Sequence, residues 1–155
     1  LISRGIETQI LPACRELGIG ITAYGVLSRG LISGHWRTDL INPGDLRSVS
    51  PRFQRGNVEQ NLALVEALRT IARQRDASVA QIAIAWVAAQ GKDIVPLIGA
   101  RTPARLHEAL GALELSLSPQ DLAAIERAVP RDAAAGERYP AAQMAHLDSE
   151  QAAKP

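Results

Sequence analysis

Aromatic side chains are scarce in this chain. Two tryptophans, two tyrosines and one phenylalanine make up 3% of its 155 residues. Large rings therefore cannot build the core. Ala, Leu, Ile and Val must fill it, within a hydrophobic fraction of 46% that is ordinary for a globular protein. Lysine is nearly missing too: Lys92 and Lys154 are the only two, and arginine carries the rest of the positive charge. Genomic base composition is the favoured explanation of that bias. Neither sign of charge dominates. Seventeen Lys and Arg face sixteen Asp and Glu, a formal net charge of +1, which argues against a nucleic-acid surface as the main function. Cys14 stands alone, so no disulfide can form within the chain, and a reducing, cytoplasmic setting is expected. No apolar run reaches the roughly 18 residues of a membrane-spanning helix. The stretch from Leu1 to Gln9 lacks the basic-then-apolar order of a secretory leader. No metal site is expected.

What is present reads as alternating helix and strand. Ile6, Ile10, Leu11, Cys14 and Leu17 recur at helical spacing and predict a helix facing a core, ended by Gly18. Ile19 to Tyr24 then reads as a short buried strand, and a helix running directly into a strand is one step of an α/β fold. Gly25 to Gly34 reads as a Gly- and Ser-rich loop, and His35 to Gly56 as a long irregular region of the kind that carries function. Asn57 with Gln60 predicts a capped helix start, with an apolar face of Leu62, Val65, Leu68, Ile71 and Ala72. Ser78 and Gln81 form an S-x-x-Q capping box ahead of Ile82 to Val87, a helix so apolar that it must be covered on most sides; Trp86 reads as a core residue there. Asp93 to Ile98 reads as a second buried strand, its end made irregular by Pro96. Thr102 and Pro103, then Ser118, Pro119 and Asp121, mark two further helix starts. Residues 130 to 155 read as an irregular tail with one helical turn.

Two strand-to-loop transitions carry the chemistry: Tyr24-Gly25-Val26-Leu27-Ser28-Arg29-Gly30 and Gly99-Ala100-Arg101-Thr102-Pro103-Ala104-Arg105. Both follow the C-terminal end of an expected parallel strand, where ligands bind in α/β folds. The helix beginning near Thr102 offers free N–H groups and a partial positive charge to an anion such as phosphate. Arg101 and Arg105, four apart, can flank it with guanidinium forks. Spacing alone leaves open that both arginines are solvated surface charges. It equally leaves Tyr24 as a core tyrosine or as a ring for stacking. His35 could touch a substrate from its loop, and His107 reads as a helix-surface residue.

These runs resemble the aldo-keto reductases. Ile10-Leu11-Pro12-Ala13-Cys14-Arg15-Glu16-Leu17-Gly18-Ile19-Gly20 is similar to the helix leading into strand 7 of that family, and Ile21 to Gly34 to the strand-7 end and its cofactor loop. Pro51-Arg52-Phe53, Asn61 and Leu64-Val65 resemble the next loop and helix. Ala80 to Gly91 resembles the helix before strand 8, and Asp93 to Arg101 strand 8 with its phosphate loop. The resemblance runs in order from Ile6 to Val129. It implies an α/β fold, the C-terminal part of a (β/α)₈ TIM barrel, over residues 1–129, followed by a tail over 130–155. A whole barrel typically needs about 250 residues, and the chain opens on Leu1, so an upstream part is expected.

The resemblance also implies roles. Tyr24 stacks on the nicotinamide of NADP. Gly25, Leu27, Arg29 and Gly30 line its pyrophosphate and ribose. Gly99, Ala100, Arg101 and Arg105 hold the adenosine 2′-phosphate, and Glu108 sits near the adenosine. Many members carry Ser at the place of Gly25, Pro at Val26 and Asn at Ala109, so one adenine hydrogen bond has no counterpart here. The family's catalytic Asp, Tyr, Lys and His lie on earlier strands and match nothing in this chain. The implied reaction is hydride transfer between NADPH and a small aldehyde or ketone. The alternative is a non-catalytic half-barrel or dinucleotide-binding module. Two strands leave large apolar helix faces uncovered, so the chain is expected to need its N-terminal half or another copy.

Overall fold

A computed structural model describes residues 1–37, 42 and 44–147 of the chain. The middle of the expected long loop (38–41 and 43) and the tail from 148 onward lie outside the described residues. After a short turn at Gly5–Glu7 come α1 (Ile10–Glu16), β1 (Ile21–Ala23), α2 (Asn57–Gln74), α3 (Val79–Ala88), β2 (Ile94–Pro96), α4 (Pro103–Gly111), α5 (Pro119–Ala128) and one helical turn, α6 (Ala141–Met144).

β1 and β2 pair in parallel, with Ile21 opposite Ile94, Thr22 opposite Val95 and Ala23 opposite Pro96. Two flanking bonds lengthen the ladder: Ile21 N donates to Asp93 O, and Leu97 N to Ala23 O. Parallel neighbours need a crossover, and α2 and α3 supply it. The sequence predicts buried strands; the structure buries one face only. Ala23, Ile94 and Ile98 pack on the core, whereas Thr22, Tyr24, Val95 and Leu97 alternate to the other side and are exposed. No described element packs over that second face.

The first helix differs in the same way. It covers Ile10–Glu16 rather than Ile6 to Leu17, and of its expected apolar stripe only Leu11 is buried; Leu17 is 71% exposed. Gly18 does end it, with φ +66. α3 follows expectation. Ser78 N donates to Gln81 Oε1 at 2.9 Å and Gln81 N to Ser78 Oγ at 3.2 Å, which closes the capping box. Val79, Ala80 and Ile82 to Val87 are all buried, because α2, α4, β2 and the loop after β1 surround this helix. α2 starts by another device than the expected one. Gly56, at φ +90, precedes its first turn, and the Glu59 carboxylate accepts from Gly56 N at 2.5 Å. Asn57 is already helical, and its Nδ2 donates to Pro51 O, tying down the loop before the helix.

The main core gathers Val65, Leu68, Ile71, Ile82, Ile125 and Val129 among others. A second small cluster, Leu31, Trp36, Phe53 and Val58, anchors the long loop that sequence reading left irregular. Trp36 meets Phe53 edge to face, with centroids 5.4 Å apart. Ile125 is fully buried where α5 meets α2, so Ile125→Ala costs about 2–5 kcal/mol by loss of transfer energy and cavity formation. Leu113, 76% exposed, changes stability by less than about 0.5 kcal/mol on replacement by Ala. Urea denaturation of both variants checks the contrast.

Candidate functional site

Because β1 and β2 run parallel, their C-terminal ends leave the sheet at one edge, and both expected ligand loops start there. Tyr24, directly after β1, is 66% exposed. Gly25 follows with φ +73 and nothing within 4 Å of where a Cβ would stand. The chain then coils tightly. Ser28 (φ 49), Arg29 (φ 57) and Gly30 (φ 90) are all left-handed. Non-glycine residues held this way cost about 1–3 kcal/mol each and gather at ligand clamps. Leu27 packs against the main core. The Arg29 side chain is held twice: Nη1 donates to Ser50 Oγ at 2.9 Å, and its Cζ lies 4.6 Å from the Tyr139 ring centroid.

The second loop is open. Gly99, Ala100 and Arg101 are exposed, and no atom lies within 4 Å of a Cβ built on Gly99. Thr102 caps α4 by accepting from Arg105 N at 3.3 Å, and Pro103 occupies the first turn, as the sequence predicts. Each arginine has its own carboxylate neighbour. Arg105 Nη1 donates to Glu108 Oε2 at 2.9 Å, and Arg101 lies near enough to Asp45 to favour its ionised form.

Contacts distant in sequence join the two loops. His35 Nε2 lies 2.8 Å from Glu108 Oε1 and 3.1 Å from Oε2. His35, weighed from sequence as a substrate contact, is thus bonded to α4; His107 is exposed on that helix, as expected. Burial works to raise the Glu108 carboxyl, but hydrogen bonds from His35, Ser78 and Arg105 outweigh it and hold the group below its ordinary value. Asp45 accepts from Arg47 Nε at 3.0 Å and from Arg47 Nη2 at 2.5 Å. Those bonds, foremost, with one from the Arg47 backbone, lower the Asp45 carboxyl to about 2. Arg47 Nη1 stands 3.9 Å from the Cβ position of Gly30, which brings an unanticipated cation against the β1 loop. Arg47, Ser50 and Tyr139 carry no motif, so the sequence does not announce them, and Arg52 stands out there only within the Pro51-Arg52-Phe53 run. An open pocket of about 560 Å³ beside β1 is lined by Tyr24, Gly25, Arg29, Ser50, Arg52 and Tyr139 among others. Among the described residues, no group of three or more His, Cys, Asp or Glu is placed to hold a metal ion, and no helix is long and apolar enough to cross a membrane.

Comparison with known proteins places this geometry. The model of the aldo/keto reductase family matches residues 1–130. A probable aldo-keto reductase 1 of Glycine max is 40% identical over 139 residues, which is 90% of this chain and 40% of that protein. Among solved structures, the glycerol dehydrogenase AKR11B4 of Gluconobacter oxydans superposes with a TM-score of 0.74 at 35% identity, over 81% of this chain and 38% of that one. The chain therefore spans about two-fifths of the length of these relatives. Its parallel strands and flanking helices are part of a (β/α)₈ barrel, and the chain belongs to the aldo/keto reductase family.

Proposed function

We propose that this chain forms the NADPH-binding part of a carbonyl reductase acting on a small aldehyde or ketone. The observation that carries the reading is that two glycine-bearing loops leave the sheet at one edge, the first carrying Arg29, the second carrying Arg101, Arg105 and the N-terminus of α4. An anionic dinucleotide fits such a place. Free space at Gly25 and Gly99 admits close approach to backbone, and the helix end and guanidinium groups favour phosphate. When bound, NADPH supplies the hydride, and the protein supplies orientation and electrostatics.

In this reading the exposed Tyr24 ring stacks on the nicotinamide. Gly25, Leu27, Arg29 and Gly30 line pyrophosphate and ribose. Gly99, Ala100, Arg101 and Arg105 hold the 2′-phosphate, and Glu108 orders the adenosine end. The Arg105–Glu108 pair does not stand in the way. Arg105 is half exposed, an ion pair of that kind contributes little, and a phosphate draws the fork away at small cost. No catalytic residue is assigned to this chain. The exposed strand face of Thr22, Tyr24, Val95 and Leu97 supports closure by the rest of a barrel or by another copy, which brings the proton donor. The solitary Cys14 suits a reducing cytoplasm.

In the complete protein, Arg105→Ala weakens NADPH by roughly ten- to a hundredfold, the scale of a lost charge-assisted contact, while NADH is little affected. Fluorescence titration measures both, and equal losses would refute the 2′-phosphate clamp. Glu108 yields a pH test. Its folded value is lowered, so its contribution is present above the unfolded value and is lost as pH falls through the folded one. Carbon-detected NMR places its midpoint below that of an ordinary glutamate carboxyl, and His35→Ala moves that midpoint upward.

A further inference from the structure

We propose that the C-terminal segment Ala135–Tyr139 is a positioning element for Arg29, with the Tyr139 ring holding the guanidinium where it serves the cofactor. The inference rests on the reading of Arg29 as a cofactor ligand. It adds a residue that neither the strand-end loops nor their chemistry point to.

Arg29 alone is a poor fixed anchor. Its side chain is long, and it rises from a left-handed backbone (φ 57, ψ 29) in a loop of short turns. A side chain of that kind loses rotamer entropy when it is held still. Two outside contacts do the holding. Ser50 Oγ, on a residue only 1% exposed, takes one edge of the fork at 2.9 Å. Tyr139 takes a face, with Cζ 4.6 Å from its ring centroid, inside cation–π range. The remaining guanidinium N–H groups are then the ones oriented for an anion. Arg138 lies 5.3 Å from the same ring, so the ring serves two cations.

The segment that delivers Tyr139 is itself locked. The buried Asn61 of α2 reads its backbone in both directions: Nδ2 donates to Ala135 O at 2.9 Å, and Oδ1 accepts from Ala135 N at 2.8 Å. Asn61 Nδ2 also donates to Arg52 O at 3.0 Å. Gly136 comes next, with φ +79, and a Cβ there would stand 2.8 Å from Pro51 O. Arg52 Nε reaches Gly136 O at 3.3 Å. The turn Pro51–Phe53, which follows Ser50, therefore fixes the path of the tail, and the two supports of Arg29 share one platform.

The test is a set of NADPH titrations and melting curves on the complete protein. Arg29→Ala weakens NADPH about tenfold or more. Tyr139→Leu weakens it roughly three- to tenfold, the scale of one cation–π contact, and Tyr139→Phe stays within about twofold of wild type. The Arg29→Ala/Tyr139→Leu double variant is no weaker than Arg29→Ala, because Tyr139 acts through Arg29. Should Tyr139→Leu fail to fold, Tyr139→Gln removes the aromatic face at the same half-exposed position and reads the same effect. If Arg29→Ala binds NADPH normally, the reading of Arg29 as a ligand falls. If Arg29→Ala weakens binding but Tyr139→Leu does not, or the two losses add in full, the positioning role is overturned.

Discussion

The proposed site hangs on one short pairing, three residues of β1 alongside three of β2 in parallel register. Parallel direction sends both strand ends out at the same edge. Without it, the loop at Gly25 and the loop at Gly99 would leave the sheet at opposite ends, and no single ligand could meet both. The pairing is held by backbone bonds and by the helices that cross between the strands. α3 is the central support. Its capping box sets its first turn, and its all-round apolar surface lets α2, α4 and β2 close upon it. A helix of that character has no face to give to water.

The same pairing explains what is left open. A strand shows alternate side chains to opposite faces, and the helices cover only one of them. Thr22, Tyr24, Val95 and Leu97 stand on the other. In a closed barrel that face is the packed interior. The chain spans about two-fifths of the length of its relatives.

Between the loops lies a set of polar contacts that the strand ends do not supply. Glu108 gathers His35 and Arg105, Asp45 gathers Arg47 and feels Arg101, and Ser50 and Tyr139 hold Arg29. The ion pairs among them lie at or near the surface and stabilise little by themselves. Together the contacts tie the β1 loop to Ser50 and the C-terminal segment, and His35 to α4. The left-handed stretch at Ser28 to Gly30 gives this arrangement its shape and stores strain there.

Local signals in the sequence were strong where the physics is local. Ser78 with Gln81, Thr102 with Pro103, and Ser118 with Asp121 cap helices through bonds spanning three residues, so their spacing alone announces them. Apolar spacing likewise marked α2 and α3, and the ordered motifs marked the family. Gly56 displaced Asn57 as the start of α2 because a carboxylate three residues on could reach its N–H, which a pattern scan for Asn passes over. Which strand face would be covered, and whether α1 would find a core, was not legible, because burial is set by elements distant in sequence. The His35–Glu108 contact spans 73 residues and the Asn61–Ala135 contact 74, and nothing at either end encodes its mate. The chain by itself determined the starts of α3, α4 and α5, the alternation and the kinship; the tertiary structure alone decided which side chains meet, since that depends on where the crossovers bring the strand ends.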